Sequence, residues 1–167
     1  MSILVIVRGL PGSGKSTFAE YLKDSIPETR WLETDRFFVD ENGKYVFDRR
    51  YLKDFHRMCH GATGVALRHS HCVVVSNTFT TEKELRKYVD TFHPFCKIIV
   101  VEMLTQYGSV HDVPEKTLER MKQRWFDISD SIDLENKIER VFRIKDKGEF
   151  GYVKNQILAD VAMETMK

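Results

Sequence analysis

Neither sign of charge is in surplus: 26 basic residues stand against 25 acidic ones, a formal net charge of +1. That balance excludes a highly basic nucleic-acid coat, although it leaves room for a local basic groove. Cysteine is scarce. Cys59, Cys72 and Cys96 are widely spaced and lack the pairing of metal ligands, so they read as reduced thiols in or near a core. There is no internal repeat, low-complexity tract or linker-like stretch, which argues against an array or a disordered segment. No apolar run approaches the length of a membrane span. The opening Met1-Ser2-Ile3-Leu4-Val5 has no basic stretch leading into a signal-type apolar segment. The expectation is a soluble, cytoplasmic protein with no membrane partner. What remains, 167 residues with 42% hydrophobic content, suits one globular domain.

Short apolar runs alternate with helical patterns, the signature of a parallel sheet covered by helices. Ile3–Val7, Cys72–Val75 and Lys97–Met103 are continuous and apolar, as buried parallel strands are. A short strand is expected near 30–33 and another at Val141–Ile144. Helical spacing runs from Lys15 to about Lys23, over Tyr51–His69, and over Tyr152–Met166. Thr81-Glu82-Lys83-Glu84 is a capping box that opens a further helix, and Pro114 opens one that runs to about Phe126.

Gly9-Leu10-Pro11-Gly12-Ser13-Gly14-Lys15-Ser16 fits GxxxxGK[ST] between a strand and a helix, the context that this motif requires. The glycines allow successive N–H groups to turn inward as an anion cradle, and the helix adds its positive end. Lys15 places a point charge at the β- and γ-phosphates, and Ser16 offers a hydroxyl to Mg²⁺. Thr17 completes the nucleotide-binding run. The motif points to a nucleoside triphosphate and says nothing of what receives the phosphate.

Asp35 follows the second strand, on the edge where ligands bind in parallel sheets. It is placed to take the proton of an attacking hydroxyl; the competing reading is an aspartate capping a turn. From Arg8 to Thr17, then Thr34-Asp35-Arg36-Phe37-Phe38, Val74-Val75-Ser76-Asn77-Thr78, and Val110-His111-Asp112-Val113-Pro114 with Arg120-Met121 and Arg124-Trp125, the chain resembles the polynucleotide-kinase-like branch of P-loop kinases. Phage polynucleotide 5′-kinases and the kinase-like domain of NEDD4-binding proteins belong to that branch. The resemblance implies ATP and Mg²⁺ as cofactors, Asp35 as general base, and a nucleic acid acceptor.

The chain departs from the family in two places. Ser76 and Asn77 stand where the family usually has an acidic residue, so Mg²⁺ is expected to rest on Ser16, the phosphates and Asp35. Thr105-Gln106-Tyr107-Gly108-Ser109 lacks an arginine that several relatives carry, and Arg120 and Arg124 are the candidates to replace it, with Lys116 behind them. These three share one face of the expected helix, opposite Leu118, Met121 and Trp125; a plain solvated face is the other reading.

The resemblance makes the 5′-OH of a DNA or RNA end the simplest acceptor. The segment 39–57, with Tyr45, Phe47, Arg49, Arg50, Phe55 and Arg57, offers aromatic and cationic groups to it. Arg36, Asn77 and His111 join Asp35 and Arg49 as substrate-side candidates. A hydroxyl on a modified base within DNA (a phage-type 5-hydroxymethyl pyrimidine), a small-molecule or nucleoside acceptor, and an ATP-binding regulatory module are the alternatives. The fold expected is α/β: a three-layer P-loop kinase domain over 1–167, with helices on both faces of a mostly parallel sheet. A small helical lid spans about 104–126, and a C-terminal extension follows from about 127.

Overall fold

The computed structural model describes residues 1–108 and 112–167. Five strands form one parallel sheet: β1 (Ser2–Gly9), β2 (Arg30–Leu32), β3 (Cys72–Asn77), β4 (Cys96–Met103) and β5 (Arg140–Ile144), in the order β2-β3-β1-β4-β5. Ile3 to Val7 and Cys72 to Val75 are fully buried, which is why these strands read as unbroken apolar runs. A parallel strand covered on both faces has no position for a polar alternate. The buried polar residues gather toward the strand ends: Arg8 on β1, Ser76 and Asn77 on β3, and Glu102 on β4.

The layers follow from side-chain alternation. Ile3, Val5 and Val7 face α1 (Lys15–Ser25) and α6 (Phe150–Thr165), where Phe18, Leu22, Val153 and Ile157 fill the core. Leu4 and Ile6 face the opposite layer, built from α2 (Leu52–Leu67) and α3 (Glu82–Phe92) with Cys59, Leu85 and Val89. The Thr81 capping box opens α3, its hydroxyl accepting from the Glu84 amide. This is the three-layer α/β arrangement expected from the sequence. β5 and α6 belong to the same sheet and core as the strands before them.

Between β4 and β5 lie α4 (Glu115–Gln123) and a short α5 (Ile132–Glu135). α4 has no buried residue, so it sits on the domain rather than in it. It stops at Gln123, three residues short of the expected end, and Trp125 and Phe126 leave the helix to reach the sheet. No helix among the described residues is long and apolar enough to cross a membrane.

Strand polarity gathers the functional loops. β1 leaves through α1 on one face and its neighbour β3 leaves through α3 on the other, so a crevice opens between them at the carboxyl edge. Phe18 ties the layer beneath that crevice together, meeting Phe150 edge-on at 4.9 Å. Phe18→Ala is expected to lower stability by about 3–5 kcal/mol in denaturant unfolding, the range for emptying a buried aromatic site. A loss below about 1 kcal/mol would contradict this packing.

Candidate active site

The loop from Gly9 to Ser16 turns out of β1 into α1. Gly14 is the N-cap of α1 at φ 85°, with no side chain capping the first turn. The first amides of a helix have no intrahelical acceptor, so here they open onto the crevice. Gly12 takes φ 79°, and a Cβ there would run into the Gly108 carbonyl. The loop carbonyls point the other way, into a strap formed by 104–108. Tyr107 N donates to Gly12 O at 2.7 Å, Thr105 Oγ1 to Ser13 O at 2.7 Å, and Gln106 Nε2 to Pro11 O at 3.0 Å. Carbonyls tied to the strap suit a loop that presents amides to an anion; of those amides, Ser13 N is turned to Leu10 O at 3.1 Å. The Ser13 hydroxyl, fully buried, has no partner among the described residues.

Lys15 is half-buried and donates from Nζ to Leu10 O at 2.9 Å. Burial pushes its ammonium down to about 8, while the charges of Asp35 and Glu33 act in the opposite direction. The lysine and both carboxylates therefore share one field. Asp35 sits on a single 3₁₀ turn, Thr34–Phe38, held from below: Thr34 N donates to Asn77 Oδ1 at 2.9 Å, and Thr34 Oγ1 meets His56 Nδ1 at 3.0 Å. On its other side Tyr45 also feels Asp35. Burial, then that carboxylate, pushes the phenol up to about 12.

Glu33 is the residue that the sequence reading passed over. Its Oε2 accepts from Ser16 Oγ at 2.9 Å and from Ser76 Oγ at 2.8 Å, and Trp31 Nε1 donates to Ser76 Oγ at 2.8 Å. The carboxylate missing from the end of β3 is thus matched by one at the end of β2, beside the Ser16 hydroxyl. The spacing Glu33-x-Asp35 after a short strand was the available signal. Ser16, Ser76 and Glu33 offer oxygens only, a donor set suited to a hard cation such as Mg²⁺.

The remaining candidates are distributed unequally. Asn77 is buried and committed at both ends, its amide lying 3.8 Å from Cys59 Sγ, so it supports the Asp35 turn instead of facing a ligand. Arg36 lies 3.7 Å over the Trp31 ring and 3.9 Å from Glu33 Oε1. Arg49 is exposed at the start of the 3₁₀ turn Arg49–Tyr51, while Arg50 and Arg57 pair with Asp48 and Asp54. Arg124 donates from Nε to Thr80 Oγ1 at 2.7 Å, beside the end of β3, whereas Arg120 donates to Thr117 Oγ1 within its own helix, at 3.3 Å. The structure therefore brings Arg124 nearer the strand ends and leaves Arg120 on the exposed face of α4. His111 lies outside the described residues.

Beside the phosphate loop is a cavity of about 220 Å³, bounded by Gly12, Gly14 and Thr17 below, Tyr107 and Gly108 on one side, and Lys147 and Phe150 on the other. Gly12→Ala is expected to weaken nucleotide binding at least tenfold, roughly 1.4 kcal/mol, with the circular dichroism spectrum unchanged. Unaltered affinity would show that this loop is not the cradle.

The AAA domain family matches residues 4–127 of the chain. Human NEDD4-binding protein 2 is 36% identical over 88 residues, which are 52% of this chain and only 5% of that protein. In the Pnkp1/Rnl/Hen1 complex, one chain superposes with a TM-score of 0.54 at 24% identity, over 71% of this chain and 38% of its own length. Kti12 of Chaetomium thermophilum, solved with ADP-AlF3, gives a TM-score of 0.64 at 14% identity, over 95% of this chain and 98% of its own. At such identities the two structures speak for the P-loop kinase fold alone. The match across residues 4–127, most of the chain, places it in the AAA domain family.

Proposed function

We propose that the domain transfers the γ-phosphoryl group of ATP to a hydroxyl of a nucleic acid, most simply the 5′-OH of a polynucleotide end. One observation carries the reading: the loop that holds Lys15 and the turn that holds Asp35 follow parallel strands that end at the same edge of the sheet. A cation that holds the transferring group and a carboxylate that receives the acceptor's proton are the two groups such a transfer needs.

Each role follows from placement. The loop amides and the open end of α1 bind the phosphate oxygens. Lys15 exchanges its contact with Leu10 O for the phosphates and holds charge as the leaving oxygen develops it. Ser16 and Glu33 are the residues to hold Mg²⁺, with Ser76 hydrogen-bonded behind Glu33; magnesium bound there neutralises phosphate charge. Asp35 orients the hydroxyl and accepts its proton. Arg124, close to the end of β3, is better placed than Arg120 to steady the equatorial oxygens. The cavity beside Tyr107 and Lys147 takes the base and ribose.

The acceptor side supports a nucleic acid over a compact metabolite. The turn that carries Asp35 continues into a hairpin in which Val46 N donates to Phe38 O, bringing Tyr45 and Phe47 against Phe38. Phe47 and Tyr51 remain 53% and 50% exposed, with Arg49 between them in sequence. Exposed rings beside a cation suit stacked bases and a phosphate backbone. A chain of the Pnkp1/Rnl/Hen1 RNA repair complex shares the fold, in keeping with this reading.

Incubation with γ-labelled ATP and a 5′-OH oligonucleotide is expected to label the oligonucleotide end. Asp35→Asn should retain nucleotide affinity and lose at least about a hundredfold in rate, the usual contribution of a general base. Label on an internal modified base, on a small molecule, or on no acceptor at all would overturn the end-kinase reading. Glu33→Gln is expected to raise the Mg²⁺ concentration for half-maximal rate about tenfold, as loss of one charged oxygen ligand would, without altering metal-free nucleotide binding. An unchanged Mg²⁺ requirement would remove Glu33 from the site.

A further inference from the structure

Arg8 is the one fully buried cation among the described residues, and none of the roles above uses it. It is the last residue before the phosphate loop, in register with Asn77 on β3 and Glu102 on β4. Its guanidinium lies between two rings, 3.8 Å from the Trp125 centroid and 4.3 Å from that of Phe126. Nη2 donates to the Phe126 carbonyl at 3.2 Å. Nη1 stands 3.8 Å from Glu102 Oε1, which is too far for a hydrogen bond, and both Nε and Nη1 lack acceptors. Burial draws the guanidinium down to about 10 and raises the Glu102 carboxyl, with Arg143 also 3.8 Å from Glu102.

This is poor design for stability. A buried pair that leaves donors unmade is commonly no better than apolar residues of the same size. What a guanidinium does that an apolar side chain cannot is fix two consecutive aromatic planes and a carbonyl in one orientation. Those groups belong to the segment through which α4 returns to the domain. The helix ends through Arg124 N to Arg120 O and Trp125 N to Lys122 O, so the orientation of Trp125 passes directly into α4. With no buried residue of its own, α4 has little else to set its angle.

We propose that Arg8 is a positioning residue: it clamps Trp125 and Phe126 against the carboxyl edge of the sheet, and so fixes α4 and places Arg124 beside the end of β3. Its chemistry is orientation, through a planar cation anchored one residue from Gly9. One residue thus ties the strand that starts the cradle to the cation beside the end of β3. The consequence for turnover rests on the proposed phosphoryl transfer; the clamp itself does not.

Arg8→Lys keeps the charge and removes the flat face, and Trp125→Leu removes one ring from outside the sheet should the first variant fold poorly. Hydrogen exchange of the α4 amides is expected to quicken at least tenfold in both, with the amides of β1 and β3 unchanged. With 5′-OH oligonucleotide as acceptor, kcat should fall about tenfold while the KM for ATP stays within threefold. Unchanged exchange in α4 would overturn the clamp. Exchange that quickens throughout the sheet, or kcat and KM that worsen together, would show Arg8 to be merely structural. If the wild-type protein labels no nucleic acid, the proposed function fails while the α4 exchange still decides the clamp.

Discussion

Backbone amides bind a phosphate only if nothing in the protein has already claimed them, and this constraint organises the domain. The first turn of α1 is uncapped, and the carbonyls of Pro11, Gly12 and Ser13 are drawn outward by the strap at 105–107. Both arrangements spare the first amides of α1 from a side-chain acceptor and tie the loop carbonyls to the strap. The all-parallel sheet then delivers everything else to the same edge, because every strand ends there. Glu33 and Asp35 follow β2, Ser76 and Asn77 close β3, and the strap follows β4.

Around that cradle the polar contacts divide between ligand and scaffold. Asn77 and His56 hold the turn under Asp35 from β3 and α2, so the carboxylate is placed by two layers of the core. Glu33 is held by two hydroxyls, one of which belongs to the loop itself. The cost of gathering carboxylates beside a buried lysine is offset by their attraction to its charge, which opposes the effect of burial on Lys15. Arg8 extends the same logic upward, linking the strand that starts the cradle to the helix that carries Arg124.

Much of this was legible before the coordinates, for physical reasons. Strands buried on both faces cannot hide their composition, so Ile3–Val7 and Cys72–Val75 stand out as runs. The phosphate loop is local, and its spacing alone encodes its shape. Asp35 was readable because the end of a strand has a defined place in a parallel sheet. Glu33 is harder to read: the spacing Glu33-x-Asp35 hints at it, and its bonds to Ser16 and Ser76 show its carboxylate beside the neutral end of β3. Asn77 is ambiguous in sequence, because a buried polar group looks the same whether it serves a substrate or a backbone amide; the structure shows it accepting from Thr34 N. The end of α4 was placed too late, since Trp125 fits the helical period and yet leaves it to stack on Arg8, a contact that joins residues 117 positions apart.

The central claim is that the cradle and Asp35 address the two ends of one reacting system. A crystal structure with ADP, Mg²⁺, aluminium fluoride and a 5′-OH oligonucleotide tests it most directly. The account predicts the fluoride complex against the loop amides and Lys15, with Asp35 about 3 Å from the acceptor hydroxyl, the reach of a general base. A nucleotide bound away from the loop, or an Asp35 carboxylate turned out of the crevice in that complex, would contradict it.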